Sequence, residues 1–128
     1  MKIIYSTNGP AAVGPYSHGI QSGNLFFLSG QTPIDPLTMK IESHDIEEQT
    51  LRALKNIECI LQDAGLELSN IIKTNVYITD MALFQKMNTV YEQVFKNHLP
   101  ARTTISVRGL PLNALVEIEC IAEINANI

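Results

Sequence analysis

The stretch LVEIECIAEI, residues 115–124, sets the tightest limit on the fold. In an extended chain successive side chains point to opposite faces. Val116, Ile118, Cys120, Ala122 and Ile124 then form an unbroken apolar row, opposed by Leu115, Glu117, Glu119, Ile121 and Glu123. A strand of this kind buries one face and leaves the other polar, as in a sheet covered on one side only.

Two segments can supply the cover. In DIEEQTLRALKNIECILQDAG, residues 45–65, Ile46, Ala53, Leu54, Ile57, Leu61 and Ala64 recur at helical spacing. Asp45 with Glu48 has the form of a capping box, and Gly65 is placed as a C-terminal cap. In TDMALFQKMNTVYEQVFKNHLP, residues 79–100, Phe84, Met87, Tyr91 and Val94 repeat likewise. Thr79 or Asp80 can cap its start, and Pro100 stops it soon after Asn97. NLFFLSG, NIIKTNVYI, RTTISV and the opening KIIYS read as further strands, and PIDPLTMKIES as a turn or a hairpin. Strands, helix, strand, helix, strands predict one α+β domain over residues 1–128, with some parallel pairing across the helical connections.

Parity sorts the remaining strands. In RTTISV, Ile105 and Val107 oppose Arg102, Thr104 and Ser106; in IIKTNVYI, Ile72, Thr74, Val76 and Ile78 oppose Lys73, Asn75 and Tyr77. With the apolar rows under the helices, the uncovered face is expected to carry Arg102, Glu117, Glu119, Lys73, Asn75, Tyr77 and Ile121. Any bulge would reverse a strand's parity. Such a mixed face suits a subunit interface containing a wet pocket. Arg102 either holds an anionic ligand there or forms a cross-strand ion pair worth about 0.2–1 kcal/mol. On parity alone the ion pair is the simpler reading.

Composition removes several classes of function. The formal net charge is −4 and no two Lys or Arg residues are adjacent, so nucleic acid is not an expected partner. No apolar stretch approaches the roughly 20 residues that span a bilayer. The N-terminus has too short an apolar cluster for a signal peptide, which makes a cytoplasmic location the expectation and a membrane partner none. Cys59 and Cys120 form no CxxC and read as buried filler in a reducing compartment. His18, His44 and His98 are widely separated, so no metal or other cofactor is expected.

Five segments, in this order, carry a more specific signal: GPYSHG, LSGQTPIDP, NVYITDMALFQKMNTVYEQVF, PARTTISVRGLP and VEIECIAEI. Together they resemble the RidA/YjgF family of reactive-intermediate deaminases over essentially the whole chain. The resemblance implies a chorismate-mutase-like α+β fold, a mixed sheet with two helices on one face. It further implies a homotrimer whose sheets form a central barrel, with a pocket at each subunit interface. The implied activity is hydrolysis of 2-imino acids, such as 2-iminobutanoate and 2-iminopropanoate, to 2-keto acids and ammonia. These imines arise from enamines released by pyridoxal-phosphate-dependent serine and threonine dehydratases. By the same resemblance Arg102 binds the substrate carboxylate and Glu119 positions and activates water. Tyr16, Ser29 and Asn88 match pocket positions, and the main chain around Thr104 matches the segment that meets the imine end. Two positions depart from many relatives: Thr104 stands where cysteine is common, and His18 where glutamine is.

The residue types suit that chemistry. Guanidinium is planar, permanently charged and able to grip a carboxylate with two parallel hydrogen bonds, which lysine cannot. An imine carbon is already electrophilic, so a carboxylate base and a water suffice for attack. No oriented Ser-His-Asp order suggests a nucleophilic serine. His18 reads as a solvated loop residue and Glu117 as a structural charge. The competing function is a non-catalytic module that binds small carboxylates or 2-keto acids through the same pocket.

Overall fold

The computed structural model describes residues 1–124 as a six-stranded sheet with two α-helices packed on one face. The elements are β1 (Lys2–Ile4), β2 (Gly19–Ser22), β3 (Leu25–Gln31), α1 (Ile46–Asp63), β4 (Ile71–Ile78), α2 (Phe84–Phe95), β5 (Ala101–Ser106) and β6 (Val116–Glu123). Across the sheet the order is β1-β2-β3-β6-β4-β5. β4 and β5 run parallel through the α2 crossover, and every other neighbouring pair is antiparallel. This is the mixed-sheet, two-helix α+β architecture that the residue patterns predict.

β6 follows its alternation. Val116, Ile118, Cys120 and Ala122 are buried, while Glu117, Glu119, Ile121 and Glu123 are half-buried on the other face. Against the apolar row α1 packs Ala53, Leu54, Ile57, Ile60 and Leu61, and α2 packs Met87, Tyr91 and Phe95. Each large aliphatic side chain buried in this layer contributes about 1.5–3 kcal/mol. Cys59 and Cys120 are both free thiols.

The helix ends are chemically specified. Asp45 accepts from the Glu48 N–H at 3.0 Å, satisfying one of the four orphan donors of α1. At the far end Gly65 has φ +77°, the left-handed region open to a residue without Cβ. Gly65 N donates to Gln62 O and Leu66 N to Leu61 O, the paired bonds of a Schellman motif. Asp80 caps a 3₁₀ turn at Met81–Leu83 rather than α2 itself, accepting from Ala82 N at 2.9 Å. The Asp63 carboxylate, exposed on the last turn of α1, anchors the N-terminal segment. It accepts from Ser6 Oγ at 2.5 Å, Thr7 N at 3.0 Å and Asn8 Nδ2 at 2.8 Å. The Ser6 bond, above all, holds the Asp63 carboxyl below its ordinary range.

Four details differ from the sequence expectation. β2 is an additional strand, paired with β3 through a tight Gly23-Asn24 turn. PIDPLTMKIES contains no strand, and its turn closes instead through Met39 N to Asp35 O and Asp35 N to Lys40 O. A bulge between Ile71 and Lys73 buries Ile71 and leaves Ile72 37% exposed. Most consequentially, β5 presents the opposite parity. Its register pairs Arg102 with Thr74 and Thr104 with Val76, and both partners are fully buried beneath the helices. Arg102 and Thr104 therefore lie on the helix side, while Ile105 is 46% exposed on the open face. The apolar row of an edge strand has no obligation to lie under the helices, because their cover ends near the sheet rim.

The open face carries an apolar line in direct register: Ile3, Ile20, Phe27 and Ile121. Phe27 is 43% and Ile3 48% exposed. Among the described residues no helix is long and apolar enough to cross a membrane.

Candidate functional site

The residues singled out by sequence fall into two groups, one on each side of the sheet. Arg102 and Asn88 line a cavity of about 420 Å³ with Gln85, Tyr91, Glu92, Leu99 and Pro100, and among the described residues Glu92 forms no salt bridge with Arg102. β5 brings Arg102 to the rim and α2 brings Asn88 and Tyr91 above it. The guanidinium carbon lies 4.8 Å from the Tyr91 ring centroid and 5.6 Å from that of Phe84, cation–π distances that orient the planar group. Tyr91 is itself tied to the sheet, its hydroxyl 2.7 Å from Thr74 Oγ1, and burial raises its phenol above the ordinary range.

Among the described residues, Asn88 Oδ1 in the same cavity and Thr104 Oγ1, two residues along the same face of β5, are buried without a hydrogen-bond partner. Buried polar atoms are nearly always paired, so both mark groups that require something further. The main chain of β5 points the same way. Val107 N donates to Ile78 O, on the β4 side. By the alternation of strand hydrogen bonding, the N–H and C=O of Arg102 and Thr104 face outward from the sheet edge.

The second group lies around the start of β2 and the open face. Tyr16, Ser29 and Glu119 line a cavity of about 500 Å³ with Ser17, Gly19, Ile20 and Phe27. Ser29 Oγ donates to Ser17 O at 2.6 Å and Ser29 N to His18 O at 2.9 Å, which locks the 16–18 segment onto β3. The Tyr16 hydroxyl accepts from Val13 N at 3.2 Å while its ring is 40% exposed. Tyr77, on β4, donates its hydroxyl to Glu119 Oε1. Glu117 is held against β3, where a Cβ at Gly30 would sit 2.9 Å from Glu117 Oε1. Burial, and then the Glu119 charge, raise the Glu117 carboxyl.

Arg102 and Glu119 thus occupy opposite faces of the sheet, with β4 between their strands. The cross-strand ion pair entertained from parity is not formed, and the shared face predicted for them is wrong, because the β4–β5 register turns Arg102 toward the helices.

His18 is also corrected: it is 3% exposed, not a solvated loop residue. Its Nδ1 accepts from Ser6 N at 2.8 Å, so Nε2 carries the proton and donates to Pro10 O at 2.7 Å. The ring clasps the loop that carries Tyr16. Replacing His18 with leucine leaves a buried donor and a buried acceptor unpaired, each costing about 1–3 kcal/mol. Urea unfolding is expected to show a loss of about 2–6 kcal/mol at unchanged slope. Glutamine, which can both accept and donate, should restore most of it.

Sequence reasoning gave no role to Tyr77 or Tyr91. Tyr91 was legible only as a helical core position, and the Tyr77 contact runs diagonally between strands whose register no local pattern reveals.

A family model described as Endoribonuclease L-PSP matches residues 6–124. A RutC family protein of Pyrococcus horikoshii is 46% identical over 121 residues, covering 94% of this chain and 96% of that protein. Reactive Intermediate Deaminase A, chloroplastic, of Arabidopsis thaliana is 43% identical over 94% of this chain and 65% of the plant protein. The crystal structure of Escherichia coli TdcF with bound serine superimposes with a TM-score of 0.91 at 40% identity, covering 96% of this chain and 98% of that one. The family match takes in β2–β6 and both helices, and the chain belongs to the Endoribonuclease L-PSP family, which includes the RidA/YjgF and RutC proteins.

Proposed function

We propose that the chain is a cytoplasmic deaminase that hydrolyses small 2-imino acids to 2-keto acids and ammonia, at sites built between the subunits of a homotrimer. The observation that carries this reading is the unpaired guanidinium of Arg102. It is stacked on Tyr91 and flanked by the unsatisfied Asn88 Oδ1 and Thr104 Oγ1. Among the described residues no carboxylate forms a salt bridge with it. A carboxylate beside a C=N group matches that set, and the outward main chain of Thr104 supplies polar groups for the nitrogen end.

The base stands in the other half-site. Because Glu119, Tyr16 and Ser29 lie on the far side of the same sheet, one chain does not bring them to Arg102. A neighbouring subunit can, if its open face packs against this rim. The apolar line of Ile3, Ile20, Phe27 and Ile121 favours such packing. In the assembled site Glu119 takes a proton from water as the oxygen bonds to the imine carbon. The C=N electron pair moves to nitrogen, which gains a proton and gives a carbinolamine. With a second proton the nitrogen leaves as ammonia, while the hydroxyl oxygen releases its proton and closes the keto group. Binding of the carboxylate fixes the carbon against the water, and that positioning is a large part of the acceleration.

The serine carried by the Escherichia coli relative keeps the binding-module reading in view, since serine shares the carboxylate but not the imine. The family's ribonuclease description fits this chain less well, given its net charge of −4 and scattered cations.

One assay separates the readings. A purified threonine dehydratase generates the imine, semicarbazide competes for it, and keto-acid release is followed with and without this protein. Acceleration by catalytic amounts supports the deaminase. Tight binding of 2-ketobutyrate with no acceleration would replace it with the binding module.

A further inference from the structure

Glu119 does not stand alone on the open face. Glu117 lies two residues away on the same side of β6, and across on β4 the register sets Asn75 opposite Glu119 and Tyr77 opposite Glu117. Despite that pairing, the Tyr77 hydroxyl reaches past Glu117 and donates diagonally to Glu119 Oε1. Among the described residues no donor reaches Glu119 Oε2. The nearest cation in the row, Lys73 on β4, is engaged elsewhere, its Nζ donating to Thr103 Oγ1 at 2.9 Å. β3 contributes Phe27, Leu28 and Ser29 to the cavity of Glu119, and the loop contributes Tyr16 and Ser17, none of them a charged group.

We propose that Tyr77 is a positioning residue for Glu119, holding Oε1 by its hydroxyl so that Oε2 alone faces the attacking water. This deepens, and rests on, the reading of Glu119 as the base. Two carboxylates on one face of a strand repel each other, and nothing in β6 itself fixes how either one points. A phenol donor fixes the orientation of the Glu119 carboxylate, while Glu117 is held apart against Gly30. The reciprocal effect is visible on the phenol. The bond to Glu119, with burial second, pushes Tyr77 up to about 12, so it remains a donor throughout the working range.

The test compares wild type, Tyr77→Phe and Glu119→Gln in the imine assay, with 2-ketobutyrate affinity measured by calorimetry on each. Phenylalanine keeps the ring and removes only the donor. The expected result is a kcat/KM about tenfold lower for Tyr77→Phe, the size of one lost bond to a charged group. Ligand affinity should stay within about twofold of wild type. The loss should fall on kcat rather than on KM, the split expected of a residue that orients the base without touching the ligand. A Tyr77→Phe enzyme with wild-type rate, beside an inactive Glu119→Gln, would overturn the Tyr77 role and leave the site intact. A rate loss matched by lost affinity would also overturn it, reducing Tyr77 to packing. A silent wild type, or a fully active Glu119→Gln, would instead remove the base reading and the Tyr77 role with it.

Discussion

Arg102→Ala is expected to lower kcat/KM for imine hydrolysis by about 10²–10⁴ while leaving the protein folded. The magnitude follows from two charge-assisted hydrogen bonds of about 1.5–3 kcal/mol each, both lost with the guanidinium. Arg102 is half-buried on an edge strand, and its main structural contacts are the Tyr91 and Phe84 rings. Unfolding should therefore shift little, and urea titration of the variant checks that. Arg102→Lys separates charge from geometry. An ammonium can still attract the carboxylate but cannot present a fork or lie flat on Tyr91, so about a tenfold to hundredfold loss is expected. A lysine variant as active as wild type would mean that the site uses only the charge. Calorimetry with 2-ketobutyrate should show the same ranking, because binding of the carboxylate does not depend on turnover.

The second large effect concerns two inactive proteins that become active together. Arg102→Ala lacks the carboxylate half-site, and Glu119→Gln lacks the base. If each working site draws Arg102 from one subunit and Glu119 from its neighbour, mixed oligomers contain some sites with both groups intact. Random reassembly of equal amounts gives each site one chance in two of a sound Arg102 and one in two of a sound Glu119. About one quarter of wild-type activity is then expected after co-refolding, against nearly none from either parent alone. A site contained within one chain predicts no recovery. Sedimentation of the mixture establishes the assembly on which the count depends.

Much of the architecture was legible in the residues. The alternation of β6 and the periodicity of both helices are direct consequences of burying one face, and Asp45 and Gly65 stand where the orphan groups of α1 demand them. β2 escaped because GIQS is short, and its Ile20 faces the open side rather than the core. Its signal was the Gly23-Asn24 pair, a common two-residue hairpin turn. Ile71 and Ile72 exchanged places through a bulge, which no pattern of two adjacent isoleucines can announce. The face of β5 was misread for a deeper reason. Parity sorts side chains within a strand, but which row faces the helices is decided by register with β4, and register is a tertiary fact. The candidate residues were picked by motif, and parity then wrongly put Arg102 and Glu119 on one face of the sheet. His18 and Tyr77 lay beyond reach because their partners, Ser6, Pro10 and Glu119, are set by loop path and cross-strand offset.

The central place of β6 also governs how the chain can fold. Among the described residues it is the last strand in chain order, yet it fills the slot between β3 and β4. Until it arrives, β1-β2-β3 and β4-β5 are separate pieces with facing, unsatisfied edges, joined only through helix packing. During synthesis those edges must wait for residues 116–123, so the nascent chain has a window in which two bare strands can recruit the wrong partner. Closure by β6 couples distant parts of the chain in one late step. Sequence-distant pairing of this kind slows folding relative to a helical bundle of equal length. The strand that bears Glu119 is thus also the keystone of the sheet, and losing it would undo both at once.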